Sequence, residues 1–341
     1  MSATPREIVY RTLAFDNPPR APRDIWPLPI ALEKYPREYE AILRDYPMDL
    51  QRIYGHYRER VPTHGDPYAV GEYRDEWGCV FVNIQRGIIG EVKDPPVKDW
   101  ESDLARVHIP RERLTVNRDA VNRDCEATDR FTLMGENPRP FEQLQFIRGT
   151  PDLMMDLLDP PPAMRRFVQQ MHEFYCAELQ AWAETDVDGL TFLDDWGSQR
   201  SLLIAPSLWR EIFKPMYRDF VQIAHGAGKK IFMHSDGYIL DIYPDLVELG
   251  VDAINSQIFC MGVERLAPWA GKITFWGEID RQYLLCRGTR DEIAAAVRSV
   301  HRHLWRNGGC FAQTEFGGAV KPENVRQVFA TWDELTNANA A

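Results

Sequence analysis

The chain has 341 residues, of which 44% are hydrophobic and 27% are charged, a composition typical of globular proteins. Its net charge of −11, from 40 basic and 51 acidic residues, argues against a nucleic-acid partner, because sequence-independent binders need a basic surface. No run approaches the roughly 18 apolar residues of a spanning helix, and the N-terminus lacks a signal-peptide pattern, so we expect a cytoplasmic protein without a membrane partner.

The first half of the chain has few regular patterns. Residues 1–23, rich in proline and arginine, are predicted to form an irregular lead-in. Strands are predicted at 24–29, 78–85 and 131–135, and helices at 36–46, 100–107, 151–158 and 163–185.

The second half alternates regularly between strand and helix patterns. Strands are predicted at 189–195, 230–236, 251–257, 273–279 and 310–315, and helices at 207–227, 239–249, 263–270, 289–306 and 322–335. This alternation predicts parallel strands covered by helices. We expect an α/β fold in which residues 1–341 form a single (β/α)8 barrel. A doubly wound open sheet is the alternative, although no GxGxxG turn or P-loop supports nucleotide binding.

The five strands predicted in the second half all end in polar residues. These are Asp194 and Asp195, His234 and Asp236, Asn255 and Gln257, Glu278, and Glu315. An apolar strand with a reactive carboxyl end is typical of the active face of a barrel.

The segment KIFMHSDG joins an apolar strand to two such residues. Residues i and i+2 of a strand point to the same side, so His234 and Asp236 project together while Ser235 turns away. Gly237 permits a sharp exit from the strand. The pair is either part of a catalytic or metal site or a hydrogen-bonded pair with a structural role.

At His234-Ser235-Asp236-Gly237 the sequence resembles the uroporphyrinogen decarboxylase superfamily. The segments DGLTFLDDWGSQRSLL, FWGEIDRQ and KPENVRQ extend the resemblance, and DEWGCVFVN extends it more loosely. The resemblance implies a single-domain (β/α)8 barrel.

Two branches of this superfamily differ in their motifs. The true decarboxylases carry an RQAGR motif that binds substrate carboxylates, whereas the corresponding region here reads PLPIALEKYPREYE. Corrinoid-linked methyltransferases bind zinc through His-x-Cys and a later Cys. The resemblance places Asp236 at the first Cys position and Glu315, seven residues before Pro322, at the second. The chain therefore resembles the methyltransferase branch more closely.

A metal set of His234, Asp236 and Glu315 follows from this resemblance. Such a set suits zinc with an open solvent position, and its oxygen ligands also suit iron or manganese. Fewer thiolates leave the metal a stronger Lewis acid, which favours polarising a substrate oxygen. For Glu315 the alternative is an ion pair at the barrel mouth.

Other polar and aromatic residues near the strand ends are candidates for catalysis and substrate binding. The catalytic candidates are Asp194, Asp195 and Glu278, and adjacency allows only one of the two aspartates to point inward. The predicted substrate-binding residues are Trp196, Tyr238, Asn255, Gln257 and Trp276. The alternatives are that Asn255 and Gln257 orient His234 or anchor a loop, and that the aromatic residues pack in the core.

The resemblance implies a metal-dependent methyltransferase that moves a methyl group from a small oxygenated or methoxylated donor to a corrinoid. The corrinoid would be carried by a partner protein, and the enzyme would resemble its relatives in forming a homodimer. A lyase or decarboxylase acting on a small carboxylic acid is one alternative. A metal-free binding barrel is another.

Overall fold

The computed structural model describes residues 3–337. Its strands are β1 Arg23–Pro27, β2 Leu50–Ile53, β3 Gly71–Arg74, β4 Val80–Asn83, β5 Glu91–Val92, β6 Phe131–Met134, β7 Gly189–Leu193, β8 Lys230–Ser235, β9 Ala253–Ser256, β10 Thr274–Phe275 and β11 Ala312–Phe316.

Most of the helices follow strands and cover the sheet. They are α1 Pro5–Leu13, α2 Pro29–Lys34, α3 Pro36–Asp45, α4 Arg118–Glu126, α5 Pro140–Arg148, α6 Thr150–Leu158, α7 Pro162–Ala183, α8 Pro206–Gly226, α9 Tyr243–Leu249, α10 Ile258–Met261, α11 Leu284–Arg287, α12 Arg290–Leu304 and α13 Pro322–Asn337. Short 3₁₀ helices lie at Leu104–Arg106, Arg111–Leu114, Leu240–Ile242 and Val263–Trp269. No helix within residues 3–337 is both long and apolar enough to cross a lipid bilayer.

Eight parallel strands build a (β/α)8 barrel, as the sequence predicts. Six of them pair in the order β10-β9-β8-β7-β6-β2, and β1 pairs with β11. A parallel bridge between Phe275 and Cys310 joins the two sets at one seam. At the other seam the backbone N–H of Asp49, just before β2, donates to the carbonyl of Arg23 in β1 at 3.0 Å. The carboxyl ends of the strands therefore share one face.

Two apolar layers hold the barrel together. Its interior is filled by side chains from successive strands, including Leu50, Phe131, Leu133, Phe232 and Phe311. A larger buried cluster lies between the strands and the helices. The inner layer closes the barrel below the polar strand ends, so chemistry is confined to the mouth.

The first half of the chain departs from its prediction in several places. The helix predicted at 100–107 is only a 3₁₀ helix at Leu104–Arg106. The lead-in is not irregular: Thr4 and Glu7 form a capping box that begins α1, a Thr-x-x-Glu signal that the prediction overlooked. The strand predicted at 78–85 is β4, but it pairs antiparallel with β3 and β5 in a separate small sheet. That the whole chain forms one domain stays a prediction.

Candidate functional site

The carboxyl ends of β7 and β8 bring Asp195, His234 and Asp236 together. His234 Nε2 lies 3.6 Å from Asp195 Oδ1 and 3.6 Å from Asp236 Oδ1. One ligand atom from each residue lies within 4.8 Å of the others. This metal triad, as we call the three residues, contains two of the predicted metal ligands but replaces Glu315 with Asp195.

Close crossing of two loops sets the position of the triad. Gly237 has φ +79°, and a Cβ on it would lie 2.1 Å from the carbonyl oxygen of Gly197. The backbone N–H of Asp236 donates to Asp195 Oδ1 at 2.9 Å, and that of Gly197 donates to the Asp236 carbonyl at 3.0 Å. Glycine at both positions lets the loops after β7 and β8 approach, and the positive φ of Gly237 gives the sharp exit from the strand that was predicted.

Asn255 of β9 fixes the tautomer of His234. Asn255 Nδ2 donates to the carbonyl of Trp276 at 2.6 Å, so its Oδ1 must act as an acceptor. That oxygen lies 2.7 Å from His234 Nδ1, which therefore carries the ring proton. In the neutral ring, the lone pair of Nε2 faces the two aspartates. Asn255 is fully buried and orients the histidine, which was its alternative role, and its contact with substrate stays a prediction.

The triad has the donors that a divalent metal needs. Asp236 Oδ1 is buried and has no hydrogen-bond partner among the described residues. Ligands bound tetrahedrally at about 2.1 Å lie about 3.4 Å apart, close to the observed separations of 3.6 Å. An imidazole lone pair beside two carboxylate oxygens fits zinc, and the same set fits iron or manganese.

Arg281 occupies the neighbouring part of the mouth, and sequence reasoning did not single it out. Its guanidinium donates to Asp236 Oδ2 and Glu315 Oε2, and its Nε lies 3.3 Å from Glu278 Oε1. Glu315 is thus an ion-pair partner here, which was its alternative role, and the prediction of Glu315 as third ligand is not supported by this geometry. Arg281 could have been found in the segment FWGEIDRQ, where it follows Glu278 by three residues.

Negative charge exceeds positive charge around this guanidinium. Burial raises the pKa of Glu278 well above its ordinary value, and Arg281 opposes that shift while Asp236 and Glu315 add to it. Burial also raises the pKa of Glu315. Three carboxyl groups share one arginine, and Glu278 Oε2 is buried without a partner among residues 3–337. A further cation at this mouth is therefore electrostatically favourable.

Asp194 has a structural role instead of the catalytic role that was predicted. It is fully buried, and its oxygens accept from the backbone N–H of Phe141 at 3.1 Å and of Glu142 at 2.8 Å. The hydroxyl of Tyr217 also donates to it at 2.5 Å. These bonds hold the first turn of α5 against the barrel. Of the two adjacent aspartates, Asp195 is the one that reaches the mouth.

Three of the predicted substrate-binding residues have other contacts. Trp196 is fully buried, stacks on Phe141 with ring centroids 4.0 Å apart, and belongs to the core. Gln257 Oε1 accepts from the backbone N–H of Gly237 at 3.1 Å and anchors that loop. Tyr238 accepts a hydrogen bond from Arg265 at 3.1 Å and lines neither cavity described below.

A cavity of about 460 Å³ opens beside the triad, and we call it the His234 cavity. Its walls include Asp24, Trp26, Arg52, Tyr54, His234 and Trp276. Trp276 lines this cavity, and its role in binding substrate stays a prediction. The ring of Trp26 lies 5.2 Å from the ring of His234. Sequence reasoning missed Trp26 and Arg52, since neither β1 nor β2 carried a recognisable catalytic pattern.

A second cavity of about 150 Å³ lies against Gln257, Glu278 and Arg281.

Another group with metal-ligating side chains lies outside the barrel mouth, between α7 and α8. It contains His172, Cys176 and Asp219. His172 Nε2 already lies 2.7 Å from Asp219 Oδ2, and burial raises the pKa of Cys176 to about 12. His172 is thus already paired, whereas Asp236 Oδ1 of the triad has no partner among the described residues, so the triad is the stronger metal candidate.

Comparison with known proteins gives a family and a fold. The profile of the uroporphyrinogen decarboxylase (URO-D) family matches residues 76–335. No curated protein matches the sequence. A methyltransferase from Methanosarcina mazei superposes with a TM-score of 0.67 at 14% identity, covering 97% of this chain and 99% of that one. The apo 3-keto-D-glucoside 4-epimerase YcjR from E. coli gives a TM-score of 0.38 at 15% identity over 66% of this chain and 85% of that one.

Proposed function

The chain belongs to the uroporphyrinogen decarboxylase family, and we propose that it is a metal-dependent methyltransferase within that family. The proposed reaction moves a methyl group from a small oxygenated or methoxylated donor to a corrinoid carrier. The observation that carries the proposal is the metal triad, in which the free lone pair of His234 faces Asp195 and the unpartnered Oδ1 of Asp236.

The residues of the triad would hold a divalent metal, with zinc as the first candidate. When bound, such an ion supplies Lewis acidity toward the oxygen of the donor. Asn255 keeps His234 in the tautomer that leaves Nε2 free, and the backbone of Asp236 holds Asp195 in place. This preorganisation means that the side chains need not rearrange during the reaction.

The donor would bind in the His234 cavity, against the imidazole ring. The transfer would break the bond between the donor's oxygen and its methyl carbon, and the carbon would pass to the acceptor, for which a corrinoid would supply a cobalt(I) nucleophile. The oxygen keeps the electron pair and takes up a proton. Glu278 is our candidate for the proton source: it lines the second cavity beside Arg281, its Oε2 is buried and unpartnered among the described residues, and burial raises its pKa.

The methyl acceptor in this proposal is a corrinoid on a separate protein. Its support is the resemblance of the sequence to corrinoid-linked methyltransferases, together with a fold shared with the methyltransferase from Methanosarcina mazei. The homodimer and a cytoplasmic location also remain predictions.

A lyase acting on a small carboxylic acid is the second candidate. It is favoured by the activity for which the family is named. The arginine-rich motif of the true decarboxylases is absent from the segment between β1 and α3, which argues for methyl transfer instead.

A metal-free binding barrel is the third candidate, and Arg281, already paired with Asp236, is the feature that favours it.

Two assays separate these candidates. Purified protein would be mixed with cobalt(I) cobalamin and a panel of methoxylated donors, and the loss of the cobalt(I) absorption band would be followed. We expect methylation that depends on added zinc and is absent in His234→Ala. The matched control is Arg218→Gln, on the exposed face of α8. Release of carbon dioxide from the corresponding acids without cobalamin methylation would overturn the proposal in favour of a lyase.

A further inference from the structure

Arg52 of β2 is a cation without a partner in the barrel interior. Its side chain lines the His234 cavity, but it makes no hydrogen bond and no ion pair among residues 3–337. Its Nη1 atom is buried and unpartnered in the same range. Leaving a guanidinium unpaired in a partly buried site is unfavourable, so such a group usually has a ligand to bind.

A rigid cage of two indoles holds this guanidinium. The Cζ atom of Arg52 lies 5.5 Å from the ring centroids of both Trp26 and Trp276. The two rings meet edge to face, with centroids 5.1 Å apart and an interplanar angle of 85°. Cation–π contacts of this kind stabilise the charge without using its N–H groups. The donors of Arg52 therefore stay free for another molecule.

Asp24 builds the cage, and its charge acts on Arg52 from a distance, without a hydrogen bond or close ion pair. A single oxygen, Asp24 Oδ2, accepts hydrogen bonds from Nε1 of Trp26 at 2.8 Å and from Nε1 of Trp276 at 2.9 Å. No oxygen of Asp24 lies within 4.0 Å of the guanidinium. The carboxylate thus fixes the two tryptophans, and they in turn fix the orientation of the arginine.

We propose that Arg52 binds the carboxylate of a small organic acid in the His234 cavity, with the acid's methyl-bearing end toward the metal triad. The planar fork of a guanidinium matches a carboxylate through two parallel hydrogen bonds. A cationic donor such as a methylammonium compound is disfavoured, because the aromatic cage already holds a positive charge. The choice of a methoxylated acid rests on the proposed function, whereas the carboxylate site rests on Arg52 alone.

Apart from Arg130 and Asn137, the other residues that line the cavity are mostly apolar and suit an apolar body. They include Tyr39, Leu43, Leu50, Leu133 and Leu193. A volume of about 460 Å³ lies within the range of sites that hold small molecules. The substrate class is therefore a methoxylated acid with a short aromatic or aliphatic body.

Calorimetric titration with matched acids and amides tests this inference. The probes are para-methoxybenzoate and methoxyacetate, each paired with its uncharged primary amide, against the metal-loaded protein. We expect at least one acid to bind at least about tenfold more tightly than its amide. Arg52→Gln should remove that difference, Arg52→Lys should restore part of it, and Arg218→Gln should keep all of it. Equal binding of acid and amide to the unaltered protein, or no binding of either acid, would overturn the inference.

The same titrations keep the two proposals apart. If His234→Ala still prefers the acid but the unaltered protein transfers no methyl group, the carboxylate site stands and the proposed function fails. If methyl transfer proceeds with acid and amide bound equally, the proposed function stands and Arg52 has no such role. The acid-to-amide ratio of the unaltered protein decides the matter even if Arg52→Gln does not fold.

Discussion

The Nδ1 atom of His234 lies 2.7 Å from Oδ1 of Asn255, and the amide of Asn255 is itself oriented by the carbonyl of Trp276. A chain of two hydrogen bonds therefore runs from the backbone just after β10 through β9 to a side chain of β8. Each hydrogen bond fixes which atom donates and which accepts. Residues from three neighbouring parts of the barrel therefore determine the direction in which the Nε2 lone pair of His234 points. That lone pair makes the barrel mouth a metal site in our proposal.

Replacing Asn255 with alanine should weaken zinc binding by about 10- to 100-fold, because Nδ1 loses the acceptor that fixes its proton. Zinc affinity would be measured by competition with a chromophoric chelator. Asn255→Asp keeps an acceptor for Nδ1 and should retain most of the affinity, although it loses the donor to Trp276. Undiminished affinity in Asn255→Ala would mean that the orientation of His234 does not depend on this bond.

The third metal ligand can be identified by comparing two conservative variants. Asp195→Asn should lower zinc affinity by about 100-fold, since a neutral amide replaces a charged ligand. Glu315→Gln should change it by less than about threefold, because Glu315 pairs with Arg281 instead of facing His234 Nε2. The same titration measures both. A larger loss in Glu315→Gln would restore the ligand set predicted from sequence.

Tyr217→Phe should destabilise the protein by about 1–3 kcal/mol without changing the rate of methyl transfer per folded molecule. The hydroxyl accepts from Trp196 Nε1 at 2.8 Å and donates to buried Asp194, so its loss leaves the indole donor unpaired. Urea unfolding measures the free energy. Tyr283→Phe, at an exposed tyrosine, serves as the control and should change stability by less than about 0.5 kcal/mol. A slower reaction at unchanged stability would assign Asp194 to catalysis.

Asp75 makes the stability of the fold depend on pH. Burial and the neighbouring charge of Glu76 raise the pKa of Asp75 to about 6, above the value of about 3.9 in an unfolded chain. The folded state therefore binds more protons between these values, and stability falls as the pH rises from about 4 to about 6, then levels off.

Asp75→Asn should remove this dependence. The stability difference between variant and unaltered protein should shift in favour of the variant by about 2 kcal/mol from pH 4 to pH 7. Gln143 Nε2 donates to Asp75 Oδ2 at 3.4 Å, and a flip of the Gln143 amide would let its Oε1, buried without a partner among the described residues, accept from the new amide. Urea unfolding at several pH values provides the measurement. Parallel pH profiles for the two proteins would show that Asp75 is ionised equally in both states.

The regular half of the fold follows from sequence because its signals are local. Apolar runs and helix periodicity predicted the strands that became β7 to β11, and Thr289 with Glu292 begins α12 as expected. The barrel and the family are both confirmed. In the first half, β2 has four residues and β5 has two, too few for a periodic signal to emerge.

The candidate site was harder to predict, because it depends on distances between strands. Periodicity says that only one of Asp194 and Asp195 points inward, but the choice was decided by Phe141, Glu142 and Tyr217, which lie far away in sequence. Arg281 crosses the mouth to reach Glu315, and Arg52 is caged by tryptophans of β1 and of the segment after β10. Contacts between residues so far apart in sequence produce no recognisable pattern of residue spacing.

The metal content of the protein tests the central claim most directly. Apoprotein prepared with a chelator would be loaded with zinc, desalted and analysed by mass spectrometry, alongside His234→Ala and the surface variant Arg218→Gln. Thermal melting would establish that all three are folded. We predict about one zinc ion per chain for the unaltered protein and for Arg218→Gln, and almost none for His234→Ala. An unaltered protein that retains no zinc, iron or manganese, or a His234→Ala variant that retains as much as the unaltered protein, would contradict the metal triad.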